Sequence, residues 1–246
     1  MPSLKKTSLL LFLSSIGMFF GNGLRAEDIY FVKGLYYEYW KVEESAESSG
    51  LSVKSSFFNH SGGVSSLNPV FPDDPEQLAG FKLIILANVD AASLGFRGRQ
   101  ALEKAVREKG VKLLVFGEYL AFGGGGYIKT LVEKMLPVTV TGVYDLVRSP
   151  EPLPLMPVLS TPYEKLDWSA KPSVLWYHRL ALRPDAEIIV KIGNDPFLVI
   201  HPYGTGKVGV ITGTALGKEN DPTTAFWKWK DFPRFMAETV NLLMKK

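Results

Sequence analysis

The stretch GVKLLVFGEYLAFGGGGYIKTLVEKMLPV, residues 110–138, constrains the fold of this chain more than any other. Residues 111–116 form a short apolar run of the length and composition of a buried strand. A sharp turn follows at Gly117-Glu118-Tyr119, then a run of four glycines at residues 123–126. The spacing predicts a helix over residues 127–136, stopped by Pro137, which cannot continue it. An apolar strand leading through a tight loop into a helix is how open α/β sheets build a pocket at a strand's carboxyl end. In catalytic folds of this kind the turn after the strand holds a nucleophile. Here it offers Glu118 and Tyr119, in a chain with no cysteine.

The flanking sequence extends the pattern on both sides. Residues 28–32 read as a first strand and residues 35–47 as a helix, with Leu35, Tyr39 and Val42 at helical spacing. Residues 51–58 alternate as a second strand, and residues 59–75, rich in Ser, Gly, Pro and Asp, read as a loop. Residues 81–89 (FKLIILANV) form the next strand, with Asn88 and Asp90 at its carboxyl end. An amphipathic helix over residues 97–109 ends at Gly110, so strand, helix and strand imply a right-handed parallel crossover. Beyond Pro137, residues 139–147 look extended, and the proline-rich residues 150–162 read as a surface excursion. Residues 186–192 and 197–201 pair as a hairpin, and a second turn at Gly204-Thr205-Gly206 leads into a strand over 208–212. A closing helix spans residues 232–243 with Phe235, Val240 and Leu243 inward.

The first 26 residues have a different character. Lys5 and Lys6 precede a 12-residue apolar run (residues 9–20, broken by Ser14, Ser15 and Gly17), and Ala26 follows as a small residue before Glu27. This is the layout of a cleaved secretory signal, with one domain over residues 27–246. The alternative, an uncleaved anchor, needs about 20 apolar residues to span a bilayer, more than this run supplies. Lys5, Lys6 and Arg25 are the segment's basic residues and it holds no acid. Its removal takes 28 basic residues to 25, against 25 acidic ones. A neutral chain offers no electrostatic footprint for nucleic acid, and no later apolar run reaches spanning length. The lack of cysteine excludes disulfides, thiolate metal sites and cysteine nucleophiles together.

The candidate sites follow from the residue types available. The glycine run at 123–126 would cradle an anion on free N–H groups, but Lys129 is misplaced for a Walker loop, and a tight loop needing positive φ explains the run better. Gly206-Lys207 sits between strands and reads as a hairpin turn. Of His60, His178 and His201, none stands at metal-ligand spacing from another, and His178 is the functional candidate. No metal or cofactor is expected. Glu118 is the most suggestive carboxylate, a general acid or base if burial raises its pKa and a cap for backbone amides if not. The cluster Phe226, Trp227, Trp229, Phe232 and Phe235 is either core or a platform for sugar rings. Asn59-His60-Ser61 matches the glycosylation triplet, a pattern common by chance.

Taken together, residues 113–117, Phe122-Gly123, Gly125-Gly126-Tyr127 and Leu136-Pro137-Val138 resemble bacterial class I glutamine amidotransferase-like domains. Tyr203-Gly204, Gly206-Lys207-Val208, Thr212-Gly213 and then Trp229, Phe232 and Phe235 extend the likeness over roughly residues 83–243. The resemblance implies a flavodoxin-like, doubly wound, mostly parallel α/β sheet with helices on both faces. The paired strands near the carboxyl end would add a β-hairpin extension. It also implies a Cys–His–Glu triad, which this chain cannot supply, since glutaminase chemistry requires the attacking thiolate. The expectation is therefore an exported, periplasmic or extracellular, non-catalytic domain. It would bind a small polar ligand or a cell-envelope protein partner through Asn88, Asp90, Glu118, Tyr119, Tyr127 and His178. The alternative is a hydrolase using Glu118 as general acid or base on a glycoside or amide, with Asp90 as its second carboxylate.

Overall fold

The computed structural model describes residues 27–61, 64–158, 162–215 and 225–245. The export-signal reading of residues 1–26 lies outside the described residues. The chain begins with β1 (Ile29–Lys33), α1 (Val42–Ser48) and the hairpin β2 (Val53–Ser61) and β3 (Val64–Asn68). After α2 (Pro75–Ala79) come β4 (Leu83–Ala87), α3 (Phe96–Lys109) and β5 (Lys112–Phe116). Every residue of β1 and of β4 is buried, as expected of strands covered on both faces. The helix α3 ends as its sequence predicts, because Gly110 takes a left-handed φ of 75° and its N–H closes on the Ala105 carbonyl.

The second half holds α4 (Leu131–Met135), β6 (Val138–Thr139), β7 (Leu146–Pro157), β8 (Ser173–His178) and β9 (Ala181–Leu182). It ends with β10 (Glu187–Ile192), β11 (Asp195–Tyr203), β12 (Gly206–Ile211) and α5 (Phe232–Met244). Ten strands make one sheet in the order β3-β2-β1-β4-β5-β12-β11-β10-β7-β8, and β6 pairs with β9 separately. Alternation within the strands divides the core in two. Ile29, Phe31, Leu83 and Ile85 pack with α1 and α5, while Tyr30, Val32, Ile84 and Leu86 pack with α2, α3 and α4.

This sheet corrects the expected flavodoxin-like, mostly parallel architecture. Only the pairings β2–β1, β1–β4, β4–β5 and β5–β12 are parallel. The other five, β3–β2, β12–β11, β11–β10, β10–β7 and β7–β8, are antiparallel. The reason lies in the connections. Tight turns at Gly193-Asn194 and Gly204-Thr205 can join only antiparallel neighbours, so what was read as a hairpin extension is continuous with the main sheet. Residues 150–157, read as a surface excursion, lie within β7. The register breaks between Arg148 and Leu153, which places Pro150 and Pro152 where no ladder donor is needed.

Three further boundaries move for local reasons. Residues 35–47 are not one helix: a 3₁₀ turn over Tyr37–Trp40 precedes α1, with Tyr36 and Lys41 both at positive φ. Residues 59–75 are not all loop, because β2 runs on to Ser61 and β3 returns beside it. The helix read over 127–136 shrinks to α4, because Lys129 adopts a φ of 59° and the Thr130 hydroxyl caps the Glu133 N–H at 3.4 Å.

Candidate site at the end of the central strand

The chain leaves β5 through Gly117, and this position admits no side chain. A Cβ there would stand 2.7 Å from the Thr212 carbonyl, 2.8 Å from that of Gly213 and 2.9 Å from the His178 ring. The backbone of the turn is thus pressed against the residues that follow β12 and end β8. Glu118 comes next, and its side chain turns inward, fully buried. Its Oε1 accepts the Ala215 N–H at 2.7 Å, and its Oε2 has no partner among the described residues. Burial holds the carboxyl well above its ordinary 4.5, up to about 8, with the Ala215 N–H opposing the rise in part. At neutral pH Glu118 is therefore an uncharged carboxylic acid.

His178, at the end of β8, reaches the same turn from the other side. Its Nε2 lies 3.1 Å from the Glu118 backbone carbonyl and its Nδ1 3.0 Å from the Asp145 carboxylate. Both neighbours are acceptors, so both bonds are made only with a proton on each ring nitrogen. Asp145 is buried as well, and its second oxygen accepts the Gly123 N–H at 3.0 Å. Phe122 packs edge-on against the imidazole, centroids 4.8 Å apart. His178 thus joins three segments far apart in sequence.

Asp145 is the participant that sequence reasoning missed. It lies in a stretch read only as extended, 33 residues from His178, and no spacing rule connects them. The glycine run is no anion cradle either. The Gly123 N–H is taken by Asp145, that of Gly125 by the Ala121 carbonyl and that of Gly126 by the Gly123 carbonyl. Any Cβ at Gly123, Gly124 or Gly125 would meet a backbone carbonyl at 2.4 Å or less. The glycines are there for close backbone approach, and Gly126 alone of the four has positive φ.

The remaining residues are placed around this turn in unequal ways. Asn88, buried at a φ of 54°, donates from Nδ2 to the Leu35 carbonyl and accepts the Leu120 N–H, so it ties the ends of β1, β4 and β5 together. Tyr127 is buried, and its hydroxyl donates to the Val89 carbonyl at 2.6 Å. Asp90 caps the short turn after β4 by accepting the Ser93 N–H at 2.6 Å. Tyr119, by contrast, is exposed. Asn88, Glu118 and His178 all bond the backbone of the turn or its neighbours, whereas Asp90 and Tyr127 serve the adjoining loop. The aromatic cluster Phe226, Trp227, Trp229, Phe232 and Phe235 is buried throughout, so it is core and not a sugar platform. Among the described residues no group of three or more His, Asp or Glu could hold a metal ion, and no helix is long and apolar enough to cross a membrane.

The geometry is that of an α/β domain with a tight turn after its central strand and a buried histidine–carboxylate pair behind that turn. The chain belongs to the family described as "Putative glutamine amidotransferase", whose model matches residues 51–245. Two solved structures from Salmonella typhimurium share the fold. Cytoplasmic Protein STM1381, from strain LT2, is 20% identical, with a TM-score of 0.72 over 89% of this chain and 100% of that one. Cytoplasmic Protein STM3548 is 19% identical, with a TM-score of 0.71 over the same shares. The cold-adapted β-galactosidase of Rahnella sp. R3 is 11% identical, with a TM-score of 0.56, and the match covers 89% of this chain but 32% of that one. No curated protein matches the chain in sequence.

Proposed function

We propose that this chain is an exported, non-catalytic member of the amidotransferase-like family, a domain that binds a small polar ligand or a cell-envelope partner and does not cleave an amide. One observation carries the reading. The turn where a family nucleophile would stand presents Glu118, which is buried and bonded to the Ala215 N–H. Acyl transfer needs an exposed nucleophile beside a base with a free nitrogen. Here no residue is a cysteine, and both His178 nitrogens face acceptors within the fold. Use of a similar fold as about a third of a β-galactosidase chain fits a module that need not carry the chemistry itself. Export rests on the charged, apolar and small-residue order of residues 1–26.

A second reading is favoured by one feature, the unpartnered Oε2 of an acid that stays neutral to about pH 8. In that reading Glu118 protonates a leaving group during glycoside or amide hydrolysis. One preparation separates the two. Full-length chain expressed with its own N-terminus is expected to be recovered beginning at Glu27. It is expected to release no ammonia from glutamine and to hydrolyse neither glycoside nor amide probes above the Glu118→Gln control. Any turnover abolished by Glu118→Gln establishes the hydrolase, and ammonia release from glutamine overturns the non-catalytic reading outright.

A further inference from the structure

Lined by none of the residues of the Glu118 turn, an open cavity of about 500 Å³ lies between α3 and α4. Its volume is in the range of small-molecule sites. Phe96 and Arg99 come from the first turn of α3, Lys129 from the turn before α4, Glu133 and Lys134 from α4, and Arg183 from just beyond β9. Four cations therefore face one carboxylate, in a chain whose residues 27–246 are formally neutral. That carboxylate is itself occupied: Glu133 accepts the Lys129 N–H at 2.6 Å and the Val140 N–H at 3.0 Å.

The two arginines are held in an unusual way. Both are half-buried, and both bond neutral carbonyls instead of acids. Arg99 donates to the Ala91 carbonyl, while Arg183 donates from Nε to Leu136 at 2.8 Å and from Nη2 to Glu133 at 3.1 Å. Neither they nor Lys129 makes an ion pair among the described residues. Lys134 has only Glu103 at 3.6 Å, a carboxylate already bonded to Arg107 and Tyr203. A guanidinium pinned by neutral acceptors keeps its charge while losing its freedom. That is a preorganised receptor for the planar, forked geometry of phosphate or carboxylate. Three unpaired cations round one concavity raise the local potential for such a ligand.

We propose that this cavity binds a small phosphate or polycarboxylate anion with two or more negative charges, held on Arg99, Lys129 and Arg183 beside the exposed Phe96. The site is separate from the Glu118 turn, so it stands or falls independently of the non-catalytic reading.

Calorimetric titration of the full chain with pyrophosphate, and separately with citrate, tests it. At about 20 mM salt at least one of the two is expected to bind with a submillimolar Kd, weakening several-fold at about 200 mM. Binding of pyrophosphate alone marks a phosphate ligand, and of citrate alone a polycarboxylate. Lys129→Glu and Arg183→Gln are each expected to weaken binding at least about tenfold, whereas Lys54→Glu, on β2, leaves it unchanged. Arg183 also holds carbonyls of α4, so if its variant misfolds, the exposed Lys129 decides. No binding of either anion at millimolar concentration, or binding that survives Lys129→Glu, overturns the proposal.

Discussion

At pH 8.5 the Glu118→Gln protein is expected to be more stable than its parent by roughly 3–5 kcal/mol, and at pH 5 the two are expected to agree within about 1 kcal/mol. The sign follows from linkage. The folded state holds the Glu118 carboxyl near 8, against 4.5 for an ordinary glutamic acid. Between those values the folded chain keeps a proton that the unfolded chain has released, so stability declines as pH rises. The loss is complete once pH passes the folded value. Glutamine reproduces the shape of the neutral acid, and its carbonyl can still accept the Ala215 N–H. It leaves an unpaired N–H where the acid leaves an unpaired Oε2, so the exchange is close to even at low pH. Urea unfolding of both proteins from pH 5 to 9, read as midpoint shifts at constant slope, measures the difference directly. Parallel stability curves would mean that the carboxyl reaches solvent, and with it a cleft.

That result bears on how the turn should be understood. A carboxylic acid kept neutral by burial is a structural plug at physiological pH and a charge in a closed space above it. The sequence could place Glu118 after the central strand, because the apolar run of β5 and the breaking of its period at Gly117 are local signals. It could not say which way the side chain points. That depends on Ala215, whose N–H arrives 97 residues later. The same division holds elsewhere. The α3 helix, the β10–β11 and β11–β12 turns and the buried face of α5 were legible, because periodicity and turn residues decide them. Within the antiparallel half of the sheet, β7 was obscured by its prolines, which its register break accommodates without signalling a strand. The aromatic cluster Phe226 to Phe235 read more readily as core than as a sugar platform, and the sheet that covers it makes it core. The cationic cavity was invisible for a related reason. Arg99, Lys129 and Arg183 are scattered in sequence, and their lack of acidic partners among the described residues is a property of the folded chain alone.

Asp145→Ala is expected to destabilise the protein by about 2–4 kcal/mol, since each buried donor left without an acceptor costs about 1–3 kcal/mol. The alanine would strand the Nδ1–H of His178 and the N–H of Gly123, both lacking access to water in this part of the core. Asp145→Asn is expected to cost less, about 1–2 kcal/mol. Its amide oxygen can still accept from Gly123 while its NH₂ donates to Nδ1 in the tautomer that carries its proton on Nε2. The order Ala worse than Asn therefore reports the hydrogen bonds and not the volume removed. A double-mutant cycle between Asp145→Ala and His178→Ala, followed by chemical denaturation, isolates the pair, with a coupling of at least about 2 kcal/mol expected for partners 3.0 Å apart in a dry setting. A coupling near zero would reassign the stability of this corner to the packing of Phe122 on the imidazole ring.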